Sequence, residues 1–206
     1  MNKLPDNQAY RLLERYKIPV ASYKFIKFSK KFAEDVIKGI SDLPVVIKID
    51  ADVVHKKNAG CVEIIYKKED IKHKVDSVIK NSRKFHVNGM LIQKFVSGDE
   101  VMIGSKRDVQ FGTIIMFGCG GVLADTIKDV SFRVIPVTSN ELEIMIKETK
   151  AYQIFIENKM NLPDIIDAIS NLIRLMEDNV EIKEVDINPF FLSEECVAGD
   201  VRIIKR

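Results

Sequence analysis

Cysteine is scarce. Three in 206 residues, Cys61, Cys119 and Cys196, are odd in number, far apart and outside any CxxC pair. That pattern argues against a disulfide scaffold or a zinc cluster and suits a reduced cytoplasm. Charge of one sign is scarce as well. Lys plus Arg is 32 and Asp plus Glu is 30, a formal net charge of +2. The basic excess of a general nucleic-acid binder is missing, so a bound anion must be held by a local site. No stretch approaches the roughly 18 uncharged apolar residues of a membrane span. The charged first 17 residues lack a signal-peptide core, so a cytoplasmic protein without a membrane or nucleic-acid partner is expected. Repeats and low-complexity segments are absent. What remains is 46% hydrophobic and 30% charged, a balance that excludes wholesale disorder. The length suffices for one large domain or two small lobes.

Periodicity predicts alternating helices and strands. A helix over 4–16 places Ala9, Leu12, Leu13 and Tyr16 on one face, and Pro19 stops it. A strand over 23–28 precedes a helix capped by Ser29, with Phe32, Val36, Ile37 and Ile40 inside. The run Val45-Val46-Ile47-Lys48-Ile49 reads as a strong strand, followed by a polar loop over 50–59. A strand over 61–66, a helix over 69–84 and strands over 89–95, 100–107 and 111–117 follow. Gly118-Cys119-Gly120-Gly121 marks a long loop before a strand over 129–134. Thr138 and Glu141 form a capping box for a helix bearing Leu142, Met145 and Ile146. An amphipathic helix over 164–178 presents Ile165, Ile169, Leu172 and Met176, and strands over 181–188, ended by Pro189, and 196–204 close the chain. Adjacent strands occur beside crossovers, so the expected class is α+β with two small α/β lobes, not a doubly wound sheet. The boundary falls near 95–98, giving lobes of 1–95 and 96–206.

Several constellations carry chemistry. Lys48 shares a strand side with Val46 and Asp50. A lysine there either faces solvent or is aimed at a phosphate. The loop His55-Lys56-Lys57-Asn58-Ala59-Gly60 joins an imidazole, two ammonium groups and a glycine. Either it is a solvated basic turn, or Gly60 lets backbone N–H groups approach a phosphate that the lysines neutralise. His73 and His86 lie on or beside a charged helix and read as surface residues. His55 sits in the candidate phosphate loop, and imidazole is a competent phosphate acceptor near neutral pH. Lys48 and Lys56 would favour its neutral form and stabilise the transferring phosphoryl group, and Asp50 or Asp52 would orient its ring. Glu100, Met102, Gly104 and Lys106 share a strand face, either half-exposed or along an elongated ligand. Glu184, Asp186 and Asn188 share another, with Asp200 in the next strand. That is either an acidic strand edge or an oxygen set suited to Mg²⁺.

In this order the pieces resemble the beta subunit of ADP-forming acetyl-CoA synthetases (NDP-forming acyl-CoA ligases), an ATP-grasp family related to the succinyl-CoA synthetase beta subunit. The resemblance covers nearly the whole chain: AYRLLERYKIPV (9–20), PVVIKI (44–49), HKKNAGCV (55–62), LIQKFV (91–96), EVMIGSKRDVQFG (100–112), IMFGCGGVLAD (115–125), KDVSFRVIP (128–136) and EVDINPFF (184–191). It implies an ATP-grasp fold with the nucleotide between two lobes. Lys48 would hold ATP phosphates. The hinge Gln93, Lys94, Phe95 and Val96 would read the adenine, largely through backbone groups. Glu100 would lie on the nucleotide side, and Asn188 and Asp200, with Asp186 alongside, would bind Mg²⁺. His55 would relay phosphate to ADP from a phosphohistidine on an alpha subunit. That partner would carry the CoA-binding and CoA-ligase domains, in an α2β2 assembly. The chain departs from the family pattern at Lys57, Asn58 and Cys61, where the family has a hydroxyl, an aspartate and a second glycine. It departs again at Cys119 and Asp125, where leucine and glutamate are common. The alternatives are a non-catalytic nucleotide-binding scaffold subunit and the beta subunit of a succinyl-CoA-type ligase.

Overall fold

The computed structural model describes residues 2–53, 56–121, 129–156, 162–193 and 195–206. Its elements begin with β1 (Asn2–Lys3), α1 (Asp6–Arg15), β2 (Tyr23–Lys27), α2 (Phe32–Gly39), β3 (Val45–Ala51) and β4 (Val62–Ile65). A 3-10 turn (Lys68–Asp70) leads into α3 (Ile71–Ser82), then come β5 (Val87–Lys94), β6 (Asp99–Asp108), β7 (Gly112–Cys119) and β8 (Val130–Val134). The chain continues with α4 (Ser139–Lys147), a π-helical turn (Tyr152–Ile156) and α5 (Leu162–Asp178). It closes with β9 (Ile182–Leu192), β10 (Val197–Ala198) and β11 (Val201–Lys205). Two compact units result.

The unit formed by Pro5–Asn7 and Ala21–Phe95 is an antiparallel sheet in the order β2-β5-β3-β4. Strand alternation sends Ile47, Ile49, Met90 and Ile65 to the side covered by α2 and α3. There they meet Val36, Val75 and Val78, all fully buried. The opposite side carries Val46, Lys48, Leu91 and Gln93, paired directly across β3 and β5.

The unit formed by Met1–Leu4, Gln8–Val20 and Val96–Arg206 holds a sheet in the order β1-β11-β9-β6-β7-β8, with β10 beside β9. Val101, Ile103, Ile115, Phe117, Val185, Ile187 and Ile203 are buried on one face with the apolar stripes of α4 and α5. Thr138 and Glu141 make both bonds of the capping box, which starts α4 cleanly. Helix α1, expected with residues 21–95, groups here from Gln8 onward. Strand β1 pairs with β11, Val20 bridges Ala198, and Asn171 Nδ2 donates to Lys17 O. Its fully buried residues are Ala9, Tyr10 and Leu13, with Tyr10 inside rather than Leu12.

Two strand boundaries differ from expectation for one reason. Pro189 does not end β9, which runs on to Leu192. The β9–β6 register shifts between Val101 and Ile103, so Asn188 and Pro189 sit in a bulge. A missing N–H costs no ladder bond in a bulge. The closing strand over 196–204 is correspondingly split into β10 and β11, and Asp200 lies in the break, not in a strand. The glycine run is also later to leave its sheet than expected, since β7 includes Gly118 and Cys119.

Candidate functional site

Strand β9 builds the acidic cluster by alternation. Val185 and Ile187 point into the core, and Glu184, Asp186 and Asn188 take the other face. Asp186 stands opposite Arg202 of β11 and Gly104 of β6, while Glu184 stands opposite Lys106. Burial pushes the Asp186 carboxyl up to about 6, the charges of Glu184 and Asp200 push the same way, and Arg202 opposes them. Its Oδ1 is buried and has no hydrogen-bond partner among the described residues. Such an oxygen is costly as a bare anion and well suited to a hard cation.

Asp200 reaches this cluster through backbone bonds. Asn188 N–H donates to Asp200 O at 3.2 Å, and Gly199 N–H donates to Pro189 O at 2.8 Å. The Asn188 amide oxygen accepts from Gly121 N–H at 2.8 Å, and its second lone pair is the one a cation would use. Gly121 has a φ of +56°, and a Cβ there would run into the Glu100 carboxylate. Glu100 O in turn accepts from Gly120 N–H at 2.9 Å. Hydrogen bonds through Gly120 and Gly121 thus bring the expected site residues Glu100, Asn188 and Asp200 together, and Asp186 feels the charge of Asp200 beside them. Among the described residues no three His, Cys, Asp or Glu side chains form a metal site by themselves. Mg²⁺ does not require that, because it is commonly held by one or two carboxylates plus substrate phosphates. The carboxylates of Asp186 and Asp200 and the amide oxygen of Asn188 therefore fit it.

In the other unit Lys48 is only 8% exposed at the middle of β3. The solvent-face alternative is thereby removed. Gln93 is buried on the same sheet side. At the hinge, Lys94 N–H donates to Ser22 O and Phe95 N–H donates to Pro44 O, which occupies two of its backbone donors. A cavity of about 320 Å³ bordered by Lys24, Gly39, Asp42, Ile92 and Lys94 includes the helix-side residue Ile92, whereas Lys48 and Gln93 take the other side.

His55 lies outside the described residues, as does Asp125. Around the histidine's loop, two residues expected near its imidazole have partners on the segment that begins α1. Lys56 is ion-paired with Asp6. Asp50 accepts from the N–H groups of Asp6 and Asn7 at 3.0 and 3.2 Å, and from Asn88 Nδ2 at 3.4 Å. It thus serves as a cap for α1 supplied from another strand. Gly60 has a φ of +64° and packs against Asn81, whose Nδ2 donates to Gly60 O. Cys61 is fully buried, and burial raises its thiol pKa against the pull of Lys84 and Lys56. Asp6, Tyr10 and Gly121 were not singled out from sequence, since their partners are remote in the chain.

A family model described as an ATP-grasp domain matches residues 1–204. The beta subunit of acetate–CoA ligase [ADP-forming] I from Pyrococcus furiosus is 35% identical over 213 residues, 98% of this chain and 91% of that one. The acetate–CoA ligase [ADP-forming] I of Archaeoglobus fulgidus is 39% identical over 197 residues, covering 91% of this chain but only 28% of that longer one. A solved structure of the Ca. Korarchaeum cryptofilum dinucleotide forming acetyl-coenzyme A synthetase 1 matches with a TM-score of 0.80 and 32% identity, over 99% of this chain and 93% of that one. It is a complex with coenzyme A and Mg-AMPPCP, its phosphohistidine segment pointing towards the nucleotide binding site. Among the described residues no helix is long and apolar enough to cross a membrane. With its mixed sheets and helices, its buried strand lysine and its acidic strand–turn cluster, the chain belongs to the ATP-grasp family of ADP-forming acetate–CoA ligase beta subunits.

Proposed function

We propose that this chain carries the phosphoryl-transfer half of an ADP-forming acyl-CoA ligase, acyl-CoA + ADP + phosphate ⇌ acid + CoA + ATP. A cytoplasmic partner, the alpha subunit with CoA-binding and CoA-ligase domains, completes the reaction in an α2β2 assembly. Lys48 binds the nucleotide phosphates as a fixed cation in a mostly buried position. Gln93, Lys94, Phe95 and Val96 receive the adenine through polar groups other than the Lys94 and Phe95 N–H. Glu100 lies on the nucleotide side. His55 accepts the phosphoryl group from the partner's phosphohistidine; that P–N bond breaks as the new one forms. It then passes the group to the terminal phosphate oxygen of ADP, giving ATP and neutral His55. Lys57 is the loop cation next to the transfer, with Gly60 shaping the same loop. Asp186, Asp200 and the Asn188 amide would hold Mg²⁺, which when bound neutralises charge on the polyphosphate.

The observation that carries this reading is the buried Oδ1 of Asp186, without a hydrogen-bond partner among the described residues, beside the negative charge of Asp200. In an ATP-grasp chain that arrangement is explained by a divalent cation carried in with nucleotide. The test is His55→Ala in the assembled enzyme. ADP affinity should stay within about twofold, while transfer of labelled phosphate to ADP should fall by at least three orders of magnitude, as expected for losing a covalent nucleophile. Near-normal turnover would show that His55 is an ordinary loop residue and would leave the scaffold reading standing.

A further inference from the structure

We infer that Tyr10 is a positioning residue for the cation site, acting through the turn that carries Asp200. This rests on the Mg²⁺ reading above. Tyr10 is fully buried on α1, and its hydroxyl donates to Gly199 O at 2.7 Å across 189 residues of chain. Gly199 has little freedom of its own. Its N–H is bonded to Pro189 O, and a Cβ would run into the Phe191 ring, with Pro189 Cγ at 3.2 Å. The residue before it, Ala198, donates its N–H to Pro19 O at 2.8 Å, in the segment that leaves α1. The residue after it is Asp200, whose carbonyl accepts from Asn188 N–H.

Asn188 on β9 and Asp200 on the turn therefore share one hydrogen-bonded frame, tied to α1 at Gly199 and to the segment after α1 at Ala198. Asp200 lies in the break between β10 and β11, where Asn188 N–H ties its carbonyl to β9. The Tyr10 hydroxyl adds a second restraint to the same turn, from α1. Mg²⁺ demands near-ideal octahedral geometry, so a ligand carried on a turn needs its backbone fixed by neighbours. A phenyl ring would pack in the same volume but would leave the buried Gly199 carbonyl one donor short, and the turn would shift to recover one.

The test is calorimetric binding of ADP to the full chain, with Mg²⁺ and with EDTA, in wild type, Tyr10→Phe and Asp200→Asn. In Tyr10→Phe, ADP affinity in EDTA should be unchanged. The gain in affinity conferred by Mg²⁺ should fall by about tenfold or more, the usual effect of losing a partner behind a metal ligand. Replacing Tyr10 by 4-aminophenylalanine, which keeps a donor at the ring's end, should restore that gain. If wild type shows no Mg²⁺-dependent gain, the cation reading itself fails. If Asp200→Asn loses the gain while Tyr10→Phe keeps it, the cation reading stands and the role of Tyr10 is overturned. A Tyr10→Phe chain that unfolds at lower temperature in EDTA yet keeps the whole Mg²⁺ gain also overturns it, because the hydroxyl would then serve stability alone.

Discussion

Asp186→Asn should stabilise the metal-free protein while destroying its response to Mg²⁺. The carboxyl is raised from 3.8 to about 6, chiefly by burial and then by Glu184 and Asp200. At about 1.4 kcal/mol per pH unit, ionising it in the folded chain costs about 3 kcal/mol more than in the unfolded chain. The sign follows from the raised value. Below pH ~4 the group is protonated in both states, and wild type and variant should be equally stable. As pH rises toward about 6 the unfolded chain ionises first, so wild-type stability falls, and the loss levels off above the folded value. Asparagine has the same shape and no charge, so it escapes this loss.

Urea unfolding in EDTA should therefore show no difference near pH 4 and an advantage of up to about 3 kcal/mol for the variant at pH 8. For a chain of this size that is about 6–12 °C in thermal midpoint. Saturating Mg²⁺ and ADP should reverse the order. Ligand at a thousand times its Kd adds ~4.1 kcal/mol to wild type, more than the variant's advantage, and the variant, lacking an anionic ligand, should gain much less. A variant that is equally or less stable than wild type at both pH values would refute the claim that this carboxylate is held at a cost for a cation.

Two further outcomes follow from the same neighbourhoods. Lys56→Met should destabilise the chain by about 3–5 kcal/mol, because it removes the cation paired with the buried Asp6 carboxylate. Asp6→Asn in the same chain should recover most of that loss, and additive losses in urea unfolding would show that the two groups do not form a working pair. Gly121→Ala should cost about 1–2 kcal/mol from left-handed backbone alone. It should also weaken nucleotide binding by displacing Glu100 and the donor to Asn188; unchanged affinity and stability would remove Gly121 from the site.

Much of the architecture was legible from short-range pattern. The apolar run at 45–49 became a strand buried along most of its length, and the stripe of Ile165, Ile169, Leu172 and Met176 became the buried side of α5. Thr138 and Glu141 cap α4 as their spacing requires. Alternation alone placed Glu184, Asp186 and Asn188 on one side of β9. The family resemblance, read from motif order, agrees with the comparisons over nearly the whole chain. Positions at i+2, i+3 and i+4 are set by the backbone's own repeat, so a local pattern is enough to read them.

Tertiary structure alone decided the rest. Proline at 189 ordinarily ends a strand, and only the bulge against β6 lets β9 continue. Lys56 beside the histidine pairs with Asp6, 50 positions away. Asp50, one residue past the end of the 45–49 run, caps α1 from 44 positions away. Tyr10 is not on the inward stripe that periodicity predicts for the first helix, and its bond to Gly199 spans 189 positions. Each of these depends on which segments the closed chain brings together. That is fixed by packing of the whole fold, and no periodicity within one segment encodes it.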